Sequence, residues 1–142
     1  MANITQIIDK GLYSLQLPSI SASIVTVETF IDNLVPTLNL SDEVYANMMT
    51  CVNEAVSNAI VHGNKENPTK TVYVNIENID NRRLIFSISD EGEGFDFNNL
   101  PDPTAPENVE KLSGRGIFIM KKLADQCIFN SSGNEVELHF KL

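Results

Sequence analysis

Basic residues are scarce in this 142-residue chain: 10 Lys plus Arg stand against 19 Asp plus Glu, for a net charge of −9. Proteins that dock on a phosphate backbone carry a basic surplus that displaces counterions, so the composition excludes a general nucleic-acid binder. A nucleotide site stays open, because it needs only local positive charge. Long apolar runs are lacking too. No stretch approaches about 18 uncharged apolar residues, and the opening MANITQIIDKGLYSLQLPS has no basic region followed by an apolar run. That argues against a membrane partner and a secretion signal, and the chain reads as soluble and cytoplasmic. Cysteine is limited to Cys51 and Cys127, with no CxxC and no His at ligand spacing. A disulfide-stapled fold is therefore excluded, and the pair reads as two reduced, buried thiols. His62 and His139 lie too far apart in sequence to suggest a metal site.

What is present is ordinary for a globular protein. With 42% hydrophobic and 20% charged residues, the chain can bury a sizeable core as one domain over residues 1–142. Its charge is unevenly placed. Residues 1–64 hold one basic residue, Lys10, against six acidic ones, whereas Lys65 and Lys70, then Lys111, Arg115, Lys121 and Lys122, form two later clusters. The acidic first half suits a partner with basic patches, and the later clusters suit the rim of an anion pocket.

Apolar periodicity gives the elements. Residues 12–17 alternate as a short strand stopped by Pro18. Ser19 is placed to cap a helix through about Val35, with Ile24, Val27, Ile31 and Leu34 at helical spacing. A second helix, capped by Ser41 with Asp42 and Glu43 in its first turn, runs to His62 and ends at Gly63 as a C′ residue. From residue 71 the period changes to two: strands over 71–79 and 82–89 flank an Asp80-Asn81 hairpin turn. A loop over 90–114 carries three Pro and three Gly. A connection that long is usually functional or disordered. A helix over 115–125 and a hairpin, 127–129 with 136–142, complete an α+β two-layer sandwich with a mixed, mostly antiparallel sheet and helices on one face.

Three short motifs carry the chemistry. In Glu54-Ala-Val-Ser-Asn58-Ala-Ile-Val-His62-Gly63, the helical residues Asn47, Glu54 and Asn58 fall on one polar stripe, within roughly 40° of each other. A carboxylate and a carboxamide one turn apart suit a general base and a Mg²⁺ ligand, but they equally describe a solvated helix face. Asp90-Glu-Gly92-Glu-Gly94-Phe95 follows a strand. Its glycines allow close backbone approach and its first carboxylate can accept from an amino group, although an acidic turn reads the same way. Ser113-Gly114-Arg115-Gly116-Ile117 opens a helix, where free N–H groups at the positive end of the dipole favour phosphate. No P-loop and no GxGxxG after a strand is present.

In this order, ExxxNAxxHG, hairpin, DxGxGF, long loop and helix-opening GxG, the motifs resemble the GHKL (Bergerat) ATP-binding fold shared by gyrase, histidine kinases and MutL. The resemblance spans residues 12–142 and is strongest to the bacterial anti-sigma-factor serine/threonine kinases of the RsbW and sporulation type. It implies an N box at 54–63, a G1 box at 90–95, an ATP lid at 96–113 and a G2 box at 114–117. It further implies ATP and Mg²⁺ as ligands, with Glu54 as catalytic base and Asn58 as metal ligand. Nucleotide contacts would come from Asn58, His62, Gly63, Asp90, Gly92, Gly94, Lys111, Gly114, Arg115, Gly116 and Ile117, with Asp90 on the adenine amino group. Leu112 stands where the family has a basic lid residue, so Lys111 or Arg115 would take that place. Gly133-Asn134-Glu135 replaces a Gly-Thr that relatives often carry.

The partners implied are a STAS-type antagonist as phosphoacceptor and a sigma factor, with a homodimer as the assembly to test. The alternative is a non-catalytic, nucleotide-gated protein that sequesters a regulator. The catalytic half of a histidine kinase would need an upstream phosphoacceptor His, and none of the residues before Glu54 is His.

Overall fold

The computed structural model describes residues 3–9, 11–94 and 112–142. Lys111 lies outside the described residues, as do residues 96–111 of the lid expected over 96–113 and Phe95 of the expected G1 box. Six strands form one sheet in the spatial order β1-β2-β3-β4-β6-β5, from β1 (Asn3–Asp9), β2 (Leu12–Pro18), β3 (Thr71–Ile79), β4 (Arg83–Ser89), β5 (Gln126–Phe129) and β6 (Glu135–Lys141). Three α-helices accompany them: α1 (Ala22–Leu34), α2 (Asp42–Asn58) and α3 (Leu112–Leu123).

Strand alternation decides the layering. Leu15 and Leu17 of β2, Val72, Val74 and Ile76 of β3, Leu84, Phe86 and Ile88 of β4 and Val136, Leu138 and Phe140 of β6 are buried. Their neighbours at odd register, such as Tyr73, Asn75 and Glu77, face out. The helices supply the opposite wall of the core, through Val27 and Ile31 of α1, Met48, Val52 and Val56 of α2 and Ile117 and Met120 of α3. The fold is thus the expected α+β two-layer sandwich. The sheet, expected to be mixed, is antiparallel at every pairing among the described residues.

Several local readings need correcting. The strand β1 went unrecognised because Ile4, Ile7 and Ile8 break a period of two, and the ladder absorbs this by a register shift between Thr5 and Asp9. Ser19 does not cap α1, which starts after Ser21 without a side-chain cap. It is buried instead, and its hydroxyl donates to the Lys70 carbonyl at 2.8 Å. Ser41 does cap α2, accepting from the Val44 N–H at 3.1 Å. Tyr45 on α2 donates to Asp32 on α1, which ties the two helices; that bond and the nearby acidic charges raise the Tyr45 pKa. The Asp80-Asn81 turn has φ of 52° and 54°, both left-handed, and is closed by the Arg82 N–H on the Ile79 carbonyl at 2.9 Å; because Ile79 pairs with Arg83, the connection spans three residues and not the expected two.

Both cysteines are free thiols, Cys51 buried and Cys127 only partly so. Burial pushes their pKa values up to about 12 and about 11. Neighbouring Cys127 adds to the shift at Cys51, so two thiols far apart in sequence share one region of the core. His139 is buried on the outer side of β6, held between Glu137 Oε1 at 2.6 Å and Arg83 Nη1 at 3.3 Å. No described helix is long and apolar enough to cross a membrane.

Candidate nucleotide site

α2 does not stop at Gly63 by turning left-handed. Its last residues widen into a π-turn over Ala59–Gly63, closed by the Asn64 N–H on the Ala59 carbonyl at 2.8 Å. Single π-turns in helices often mark functional sites. The left-handed residues come later, at Lys65 (φ 53°) and Glu66 (φ 58°). Gly63 is required for another reason: a Cβ there would overlap the Asp90 carboxylate. A Cβ on Gly92 would in turn strike the Gly63 carbonyl. The end of α2 and the turn after β4 therefore pack backbone to side chain, with no room for a methyl group between them.

This packing shapes a cavity of about 300 Å³. Its apolar walls are Ala55 and Ala59 of α2, Ile88 of β4, Ile117 and Met120 of α3, and Val136 of β6. Polar groups reach it at Asn58, His62, Asp90, Asn134 and Glu135. A flat heteroaromatic ring with one amino edge suits such walls: apolar faces above and below, and a carboxylate at one side. Asp90 directly follows β4, half-buried, with its Oδ1 accepting from the Gly92 N–H at 2.8 Å. Burial raises its pKa, while that N–H and the charge of Lys70 pull it back down.

The turn between β5 and β6 forms the remaining wall. Asn130 Oδ1 accepts from the N–H groups of Gly133, Asn134 and Glu135 at 2.8, 3.0 and 3.2 Å. The turn so built accepts the Asp90 N–H on the Asn134 carbonyl at 3.0 Å, and Asn134 Nδ2 reaches the Gly92 carbonyl at 3.4 Å. Gly94, at φ 83°, runs against the Ser132 carbonyl, which a Cβ would overlap. The departure at Gly133-Asn134-Glu135 thus braces the turn that holds Asp90 and Gly92.

At the other end of the cavity, Glu54 and Asn58 meet the backbone of α3. A Cβ on Gly116 would stand 2.6 Å from Glu54 Oε2 and 3.4 Å from Asn58 Nδ2. The polar stripe of α2 is therefore covered by a glycine of α3 and is not a plain solvated face. α3 begins at Leu112, earlier than expected, so Gly114 lies in its first turn and Gly116 one residue beyond it. The positive end of the helix dipole lies at this first turn, so Gly114 stands where an anion is favoured and Gly116 lies further along the helix.

Of the site residues read from sequence, Asn58, His62, Gly63, Asp90, Gly94 and Ile117 line the cavity, and Glu54, Gly92 and Gly116 abut it. Arg115 is half-buried on α3. Lys121 and Lys122, expected at the pocket rim, sit in the last turn of α3 and line none of it; Lys122 lies over the Phe118 ring at 5.2 Å. Sequence reasoning missed Asn64, Asn130, Met120 and the β6 residues of the wall. Only Asn130, four residues ahead of Asn134 in a Ser-Ser-Gly turn, left a sequence signal, as a side chain suited to bonding its own turn.

A two-layer sandwich that holds this cavity between the helices and the ends of β4 and β6 defines an ATP-binding domain of the GHKL type. Residues 17–140 match the model of the histidine kinase-like ATPase domain, and the chain belongs to that family. Its relatives include the anti-sigma F factor of Heyndrickxia coagulans, 38% identical over 109 residues that cover 75% of this chain and 71% of the relative. The anti-sigma F factor of Bacillus subtilis is 38% identical over 112 residues, 76% of this chain and 72% of the relative. That of Anoxybacillus flavithermus is 34% identical over 115 residues, 78% and 74% respectively.

Proposed function

We propose that the chain is a protein serine/threonine kinase that uses ATP with Mg²⁺ and regulates transcription as an anti-sigma factor. Its phosphoacceptor would be a small STAS-type antagonist, and a sigma factor its second partner. The observation that carries the kinase reading is the convergence of Glu54 and Asn58 on Gly116 at the mouth of the cavity. A pure binding pocket needs no carboxylate there, whereas phosphoryl transfer needs a proton acceptor beside the metal-bound phosphates. The relatives' shared name, anti-sigma F factor, supports the regulatory role.

The residues divide the work. Asp90 accepts from the adenine amino group, and the apolar walls take the ring faces. Asn58 would offer its carboxamide oxygen to Mg²⁺, a cation that takes a few protein oxygens alongside phosphates and water. When bound, Mg²⁺ supplies charge neutralisation for the phosphates. The first turn of α3, which holds Gly114, presents the positive end of the helix dipole to them. Glu54 takes the proton from the acceptor serine as its oxygen bonds to the γ-phosphorus; the bond to the bridging oxygen breaks and ADP leaves.

Incubation with γ-labelled ATP and a STAS-type antagonist tests this. Wild type transfers label to a serine or threonine of the antagonist, and Glu54→Gln lowers the rate by roughly 10²- to 10⁴-fold while ATP still binds. No transfer from a wild-type protein that binds ATP would sink the kinase reading and leave a nucleotide-gated binding module.

A further inference from the structure

Asn64 is 1% exposed, and its side chain bonds to three separate parts of the chain. Its Nδ2 donates to Ser19 Oγ at 2.8 Å and to the Thr71 carbonyl at 3.0 Å, and its Oδ1 accepts from the Glu91 N–H at 2.8 Å. Glu91 in turn reaches back, its Oε2 accepting from the Thr71 N–H at 2.5 Å. The connection before α1, the start of β3 and the turn after β4 are thus fastened to one buried amide. A buried carboxamide is costly unless its hydrogen bonds are made, and here both donors and the acceptor are used.

The backbone around Asn64 is arranged to put it there. It closes the π-turn and is followed by two non-glycine residues in the left-handed region, a conformation that costs of order 1 kcal/mol or more per residue. Strain of that kind persists only where the surroundings hold it. Beside the Glu91 N–H, the Gly92 N–H binds Asp90 Oδ1 and fixes the direction of that carboxylate.

We propose that Asn64 is a positioning residue for purine recognition: through the Glu91 N–H it holds the 90–92 turn so that the Asp90 carboxylate meets the amino edge of the base. The inference rests on the assignment of Asp90 to adenine and adds to it the element that sets the selectivity. Asn64 itself is buried and does not line the cavity, whereas Gly63 and Asp90 do. Its loss should therefore act on the amino group alone and spare the contacts that any purine makes with the apolar walls.

ATP and ITP separate these effects, since ITP carries a carbonyl where ATP has the amino group. Binding of each is measured by titration calorimetry on wild type, Asn64→Ala and Asn64→Asp. Wild type should prefer ATP by at least tenfold; equal binding would overturn the adenine assignment and this inference with it. Asn64→Ala should bring the ATP to ITP ratio to within about twofold of unity, with ITP affinity nearly unchanged. A ratio that stays at the wild-type value, or equal weakening of both nucleotides, would overturn the role of Asn64 and leave Asp90 untouched. Asn64→Asp keeps the acceptor for Glu91 and should retain the wild-type ratio within about twofold at lower thermal stability. Where Asn64→Ala does not fold, that variant decides, and a collapsed ratio in folded Asn64→Asp overturns the inference.

Discussion

The Glu54 carboxylate lies directly against the Cα of Gly116, so close that a methyl group there would stand 2.6 Å from Oε2. The obstacle is the end of a flexible side chain, which can swing aside. An alanine in a helix also gains about 0.5–1 kcal/mol over glycine. Gly116→Ala should therefore leave thermal stability unchanged or slightly raised while displacing the base, with phosphotransfer falling at least tenfold. A thermal melt and a transfer assay on the same preparation separate the two effects. A destabilised but fully active variant would show that Glu54 is not the group displaced.

Asp90 gives a pH dependence with a defined sign. Burial raises its carboxyl above the ordinary carboxylate value, so the folded, ligand-free protein holds that proton more tightly than the unfolded chain does. Ionised Asp90 costs stability above the native pKa, and its contribution improves as pH falls through that value toward the unfolded one. ATP affinity runs the other way and weakens over the same acidic window. Asp90→Asn should keep the bond to Gly92, raise the neutral-pH melting temperature and weaken ATP binding at least tenfold, as read by melts with and without Mg-ATP. A lowered melting temperature for the ligand-free variant would contradict the burial account.

Asn130 supports a whole turn with one oxygen. Asn130→Ala removes the side-chain acceptor of the Asn134 and Glu135 N–H groups and leaves the Gly133 N–H only the residue-130 carbonyl at 3.1 Å, which should cost about 1–3 kcal/mol. The turn also accepts the Asp90 N–H, so ATP affinity should fall together with stability. Denaturant unfolding and nucleotide titration check both; a stability loss with unchanged ATP affinity would uncouple the turn from the site.

Glu66 occupies the left-handed region without a glycine. Glu66→Gly should stabilise the protein by roughly 0.5–1 kcal/mol, because it relieves a conformation that an L side chain resists. The gain is read from the urea midpoint at constant m-value.

The layered fold was legible in the sequence wherever one face is buried, because burial enforces a strict period: Val72, Val74 and Ile76 of β3 and Leu84, Phe86 and Ile88 of β4 show it plainly. It was illegible at β1, where a register shift breaks the alternation. The ordered motifs singled out Glu54, Asn58 and Asp90 because each stands beside a glycine or a helix turn with a recognisable spacing. Asn64 escaped because its three partners, at Ser19, Thr71 and Glu91, are distant in sequence and no local pattern links them. Gly63 reads in the sequence as the residue that stops the helix, and the helix does end there, but not by a left-handed turn. What requires glycine there is the Asp90 side chain, and that contact exists only in three dimensions.

The strand β6 lies between β4 and β5 and bears Val136 of the cavity wall, yet it follows every other described element in the chain. During synthesis the helices and the β2-β3-β4 portion of the sheet emerge first and cannot enclose the cavity. Until β6 inserts, β5 has no neighbour in the sheet, and Asp90 lacks the Asn134 carbonyl that accepts its N–H. A chain in which β6 has not yet paired therefore keeps most of its scaffold but lacks one wall of the cavity and the bond that anchors Asp90.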